Sequence, residues 1–140
     1  MSDRVFLDTN VFVYSFDHSA PHKAKRARAL IREALESHKG VVSYQVVQEF
    51  FNVALRRLAR PMQPTEAEQY LTTVFRPLLA VHSSAGLYAE ALRLQGQGGL
   101  WWYDALIVAG AQQSGCAVLF SEDLQDGRRF GNLRIENPFD

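Results

Sequence analysis

The chain has 140 residues, of which 47 % are hydrophobic and 21 % charged, the balance of one globular domain with a filled core. Fifteen Lys and Arg offset fifteen Asp and Glu, so net charge neither demands nor forbids a nucleic-acid partner. No apolar run reaches the roughly 18 residues of a membrane span, and no signal-peptide core opens the chain. The single cysteine, Cys116, excludes an internal disulfide. A cytoplasmic protein without a membrane partner is the expectation.

Val5-Phe6-Leu7 is apolar without alternation, the pattern of a short strand buried on both faces. It breaks into Asp8-Thr9-Asn10, and Val11–Phe16 then reads as a short helix. Pro21 opens a helix from His22 to His38, with Ala24, Ala27, Leu30, Ile31, Ala34 and Leu35 on one face. Six Lys or Arg against two Glu lie between His22 and Lys39, a local basic face on a neutral chain. Gly40 is expected to cap that helix. Val41-Val42 is a second strand, Ser43 a cap, and Tyr44 to Leu58 a third helix. Thr65 and Glu68 fit a capping box for a helix from Glu66 to Phe75. Leu78–Val81 is a third strand, and Ser84 opens a helix to Gln95, closed by a Gly96–Gly99 loop. Trp102 or Tyr103 begins a helix that is apolar nearly all round through Ala111, hence buried on most sides. Ala117–Phe120 is a fourth strand, with Cys116 a buried structural thiol at its start. The polar stretch Ser121–Gly127 follows, and Leu133–Glu136 is a weak fifth strand. Strands alternating with helices, without hairpin signals, predict a mostly parallel sheet of four or five strands between helical layers, as one domain over 1–140.

Asp8 stands at the carboxyl end of the first strand, where open α/β sheets collect functional groups. Glu49 lies in a helix packed with Val46, Val47, Phe50 and Phe51. Asp104 falls in the first turn of the buried helix, and Asp123, with Asp126 three residues on, follows the fourth strand. Each acid has a plainer reading: a helix cap, a favourable place on a helix dipole, a surface residue, or an Asx turn. Taken together they point to one cluster, and carboxylates crowded together repel unless a cation joins them. With no His or Cys at zinc spacing, all-oxygen donors favour Mg²⁺ or Mn²⁺. Such a metal beside a hydroxyl and an amide is equipment for phosphodiester hydrolysis. A phosphatase using Asp8 as nucleophile is disfavoured, because Asn10 stands where an Asp-x-Asp pattern needs its second acid.

The segments Val5-Phe6-Leu7-Asp8-Thr9-Asn10, Gln48-Glu49-Phe50, Tyr103-Asp104-Ala105-Leu106-Ile107 and Leu119-Phe120-Ser121-Glu122-Asp123-Leu124, in this order, resemble the PIN-domain ribonucleases, and particularly the VapC-type toxins of toxin–antitoxin pairs. The resemblance implies a PIN-like three-layer α/β/α fold with the first and fourth strands adjacent. It implies a metal-dependent endoribonuclease in which Asp8, Glu49, Asp104 and Asp123 bind Mg²⁺ or Mn²⁺, with Asp126 second choice for the fourth acid. Thr9, Asn10 and Ser121 would support the site by hydrogen bonds. It further implies a homodimer, held inactive by an antitoxin in a groove walled by residues such as Phe12, Tyr14, Phe50, Phe51 and Leu55, against the plainer reading of these aromatics as ordinary core. Lys23, Lys25, Arg26, Arg56 and Arg60 are candidate contacts for RNA phosphates, against the plainer reading of solvated helix faces. Trp101-Trp102 either stacks on unpaired bases or anchors its loop or a dimer. A catalytically silent PIN-like module that binds RNA or protein is the alternative; retention of all four acids counts against it.

Overall fold

Residues 2–140 are described by a computed structural model. The strands are β1 (Val5–Leu7), β2 (Gly40–Ser43), β3 (Leu79–Val81), β4 (Val118–Phe120), β5 (Arg129–Phe130) and β6 (Leu133–Glu136). They form one sheet in the order β3-β2-β1-β4-β6-β5. The first five in that order run parallel, and only the two-residue β5 is antiparallel. The helices are α1 (Thr9–Tyr14), α2 (Pro21–Ser37), α3 (Tyr44–Ala54), α4 (Pro64–Tyr70), α5 (Arg76–Leu78), α6 (Ala85–Gly98) and α7 (Trp102–Gln113).

Strand alternation assigns the helical layers. Gly110 of α7 lies on the face that presents Phe6, where a Cβ would meet Phe6, Ser43 and Val81 at 3.7 Å. Leu30 and Ala34 of α2 share a recess with Val5, Leu7 and Phe120, which point the other way. The sheet is therefore sandwiched, as the alternation of elements predicts. β1 and β4 are neighbours, with Leu7 paired to Phe120. Successive connections leave β1 in opposite directions, so a crevice opens at the carboxyl ends of β1 and β4.

Several boundaries differ from the sequence reading. Gly40 is no cap. His38, at φ 60°, takes the left-handed position that ends α2, and Gly40 begins β2. A Cβ on Gly40 would sit 2.3 Å from Ala34 Cβ and 3.0 Å from Leu78 Cδ2, so it is close approach that requires glycine there. α3 stops at Ala54 rather than Leu58, because the Met62 N–H bonds the Ala54 carbonyl (2.8 Å) and turns the chain back. The capping box uses Gln63 and Glu66, two residues ahead of Thr65 and Glu68, since Pro64 supplies a preset first helical residue. Between α4 and α5 a π-turn spans Leu71–Phe75. It widens the helix just before Pro77, whose ring would otherwise press on the preceding turn and which has no N–H to donate. α6 continues through Gly98, ending where Gly99 adopts φ 66°. The β5–β6 hairpin turns on Gly131-Asn132, the one hairpin the pattern did not signal.

Beneath α1, α3 and the π-turn lies an aromatic cluster. Phe12, Phe50 and Phe75 have no exposed surface. Phe50 stacks on Tyr70 at 5.0 Å with an interplanar angle of 18° and meets Phe75 edge-on at 5.3 Å. Phe12 and Phe50 are thus core and cannot line a partner groove. Truncating either to Ala is expected to cost about 3–5 kcal/mol. Cys116 is buried, as predicted.

Candidate functional site

Asp8 ends β1 and caps α1, so one residue closes a strand and opens a helix. Its Oδ1 accepts from the Thr9 N–H at 2.7 Å, and its Oδ2 accepts from the Ser121 hydroxyl at 2.8 Å. Ser121 stands at the end of β4, fully buried. Its oxygen also accepts from the Asp123 N–H at 3.2 Å, which ties the following loop to Asp8. Thr9 turns its hydroxyl the other way and donates to Glu49 Oε1 at 2.6 Å. Asp8, Thr9, Glu49, Ser121 and Asp123 are therefore one hydrogen-bonded chain, drawn from β1, α1, α3 and the β4 loop.

Gln45 extends this chain and carries no obvious motif. One turn before Glu49 on α3, it is buried and donates from Nε2 to Glu49 Oε2 (3.3 Å) and to the Tyr103 carbonyl (3.1 Å). It fixes the first turn of α7, and with it Asp104, against Glu49. The available signal was the four-residue spacing of Gln45 and Glu49 on one helical face.

Glu49 and Asp123 lie close enough for their charges to act on both Asp8 and Asp104. Burial pushes Asp8 up to about 7, against the downward pull of Ser121 and Thr9; the charges of Glu49 and Asp123 push it further up. Asp104 is raised by burial, then by Asp123 and Glu49. Asp126 is not among the charges felt by either. It is exposed and accepts from the Asn137 N–H at 2.8 Å, a loop clasp.

Among the described residues, no three acidic, histidine or cysteine side chains close on a common point as a finished metal cage. The donor set nevertheless fits a hard divalent cation: carboxylate oxygens only, repelling one another at Asp8 and Asp104. The side-chain amide of Asn10, buried with neither its oxygen nor its nitrogen partnered, adds a polar group awaiting a ligand or water. Asn10 makes no bond to the acids themselves.

Beside the acids, Glu122 is clamped. Its Oε1 accepts from the Tyr14 hydroxyl at 2.6 Å and its Oε2 from Lys23 Nζ at 2.6 Å. The Lys23 ammonium lies 4.6 Å from the Tyr14 ring centroid, and Tyr14 packs edge-on against Phe139. Burial pushes Glu122 up, but Lys23 and Tyr14 outweigh it and hold the carboxyl below its ordinary value. Lys23 is thus occupied, and Arg26 Nε donates to the Pro138 carbonyl at 3.2 Å. Lys25, Arg56 and Arg60 are exposed, and none of the ion pairs among the described residues involves them.

The sequence matches the PIN domain family over residues 5–129. No curated protein matches it by sequence. Among solved structures, a toxin–antitoxin complex from Klebsiella pneumoniae is similar at TM-score 0.68 and 18 % identity, covering 97 % of this chain and 98 % of that one. VapC20 of Mycobacterium tuberculosis, described as a sarcin–ricin loop cleaving toxin, is similar at TM-score 0.57 and 21 % identity, covering 85 % and 91 %. VapBC2 from Rickettsia felis, bound to promoter DNA, is similar at TM-score 0.61 and 19 % identity, covering 95 % and 97 %. With the family matched over residues 5–129 and the strand order of its sheet switching between β1 and β4, the chain belongs to the PIN-domain family.

Proposed function

We propose that this chain is a metal-dependent endoribonuclease of the VapC type, the toxin of a toxin–antitoxin pair, acting as one domain. The observation that carries the reading is the hydrogen-bonded chain Asp123–Ser121–Asp8–Thr9–Glu49 beside Asp104, at the carboxyl ends of β1 and β4. Such a network holds like charges together at a cost in repulsion, which a structural role does not require.

Asp8 and Asp104 would hold Mg²⁺ or Mn²⁺, with Asp123 and Glu49 completing the set. When bound, the cation polarises the phosphodiester and lowers the pKa of water. Thr9 and Gln45 fix both oxygens of Glu49, so that its remaining lone pairs orient the attacking water. Ser121 keeps Asp8 turned toward the crevice while joining it to the Asp123 backbone. The neighbouring toxin–antitoxin complexes support an antitoxin partner; a homodimer in the cytoplasm is proposed with it. No helix among the described residues is long and apolar enough to cross a membrane. The exposed Lys25, Arg56 and Arg60 are available to phosphates.

The test is incubation of the purified, antitoxin-free chain with total RNA in Mg²⁺ or Mn²⁺, in EDTA, and with Asp8→Asn. Discrete fragments that disappear in EDTA and in the variant are expected. A well-folded protein that cleaves no RNA under any of these metals would overturn the nuclease reading in favour of a silent binding module.

A further inference from the structure

The start of α7 holds three aromatic residues in a row with opposite fates. Trp102 turns inward, half-buried, with its ring 6.3 Å from Tyr88. Trp101 and Tyr103, on either side of it, point outward and remain 81 % and 65 % exposed. Trp101 is the extended residue that caps the helix, and Asp104 belongs to the first turn of that same helix. The turn does not float: the Tyr103 carbonyl is held by Gln45, which also holds Glu49.

An exposed indole and phenol fixed in register with the acids serve no packing purpose within the chain. This side also offers little to a phosphate backbone. Arg93 is the one basic residue on α6 and α7, and it is spent on Glu90 and Gln97; Arg128, which reaches the end of α6, is spent on the Gly98 carbonyl at 2.8 Å and lies over the Phe130 ring. Where charge contacts are missing and carboxylates repel phosphate, affinity for a nucleic acid must come from the faces of its bases. We infer that Trp101 and Tyr103 form a stacking platform for an unpaired base of the RNA strand, next to the phosphodiester to be cut. The inference rests on the nuclease reading and narrows it to single-stranded or looped RNA, because a paired base cannot present a free face.

The probe is an unstructured fluorescein-labelled single-stranded RNA and the same sequence as a perfect duplex, titrated by anisotropy in Ca²⁺, with cleavage in Mg²⁺ read in parallel. Trp101→Leu and Tyr103→Leu should each weaken single-strand binding about tenfold, and Trp101→Phe about twofold. Duplex affinity should stay unchanged, as should the salt dependence of single-strand binding, since no phosphate contact is removed. Leu variants that bind the single strand like the parent overturn the platform, as does an equal loss toward duplex. A changed sedimentation coefficient in the Leu variants also overturns it, assigning the rings to a contact between copies. Where the parent cleaves RNA and the variants bind and cleave equally well, only the platform fails. Where the parent neither binds nor cleaves, the nuclease reading fails with it.

Discussion

Asp8 and Asp104 carry the same formal charge and are both raised first of all by burial, yet their surroundings are opposites. Asp8 is 7 % exposed, with one oxygen on a helix N–H and the other on a serine hydroxyl. Asp104 is half-buried, and among the described residues no side-chain hydrogen bond involves it; it is positioned through its helix, by Gln45 on the neighbouring carbonyl. One side of the cluster is wired and closed; the other is open and flanked by exposed aromatics. A site that must hold a cation and also admit a polymer needs this division. The closed acid keeps charge in place, and the open one leaves room for substrate.

The largest expected effects fall on activity and should not distinguish the two sides. Asp8→Asn and Asp104→Asn each remove a charge that would hold the cation, and both should reduce RNA cleavage by about a thousandfold. The readout is the initial rate on a labelled RNA with circular dichroism showing the fold intact. If either clean variant cleaves at the parent rate, the shared role of the two acids is broken.

Stability should separate them. Without metal, Asp8 in the folded chain holds its proton up to about 7, whereas the ordinary value is 3.8. The folded state therefore binds the extra proton between those values. The resulting stability is complete below the unfolded value and is lost as pH rises through 7. The unfolding free energy from urea titration in EDTA should fall between pH 5 and pH 8, by an amount on the order of a few kcal/mol. Asp8→Asn should flatten this profile, and the more exposed Asp104→Asn should flatten it far less. A parent profile level from pH 5 to 8 would show that Asp8 is not the strained charge. Excess Mn²⁺ should restore stability at pH 8 in the parent and not in Asp8→Asn.

Next in size are the hydrogen bonds that make the closed side closed. Ser121→Ala removes the donor to Asp8 Oδ2 and the acceptor for the Asp123 N–H together. A bond to a charged group contributes about 1.5–3 kcal/mol, so a tenfold or greater loss of metal affinity is expected by calorimetry. Thr9→Val should lower it less, because Gln45 still holds Glu49.

Much of this was legible in the chain. The run Val5-Phe6-Leu7 ending in Asp8-Thr9-Asn10 marked both the central strand and the polar end at which Asp8 caps the next helix, because a doubly buried strand permits no polar alternation. The all-apolar stretch from Ala105 to Ala111 marked the buried helix and the place of Asp104. What escaped depended on partners remote in sequence. Gly40 read as a cap because local composition cannot show that Ala34 and Leu78 press on its Cα. Phe12 and Phe50 fitted both a groove wall and the core, because a one-dimensional pattern cannot tell an exposed apolar face from one covered by Tyr70 and the π-turn. Lys23 read as a basic-face residue, while its partner Glu122 lies ninety-nine residues away.

That clamp supplies the smallest test. The loop bearing Asp123 is held at two points: Ser121 grips it from the closed side, and Lys23 with Tyr14 grips Glu122 from outside. The ion pair is partly exposed, so its direct worth to stability is about 0–1 kcal/mol. Were it only a surface pair, Lys23→Met would change nothing beyond that. If it sets where Asp123 stands, Lys23→Met and Tyr14→Phe should each weaken Mn²⁺ binding a few-fold while shifting the melting temperature little. Their double variant should lose less than the product of the two, since both act on one carboxylate. Fully independent losses would mean that Lys23 and Tyr14 act on the loop by separate routes. Sub-multiplicative losses would make Glu122 the strut by which a helix on one face of the sheet steadies an acid at its end.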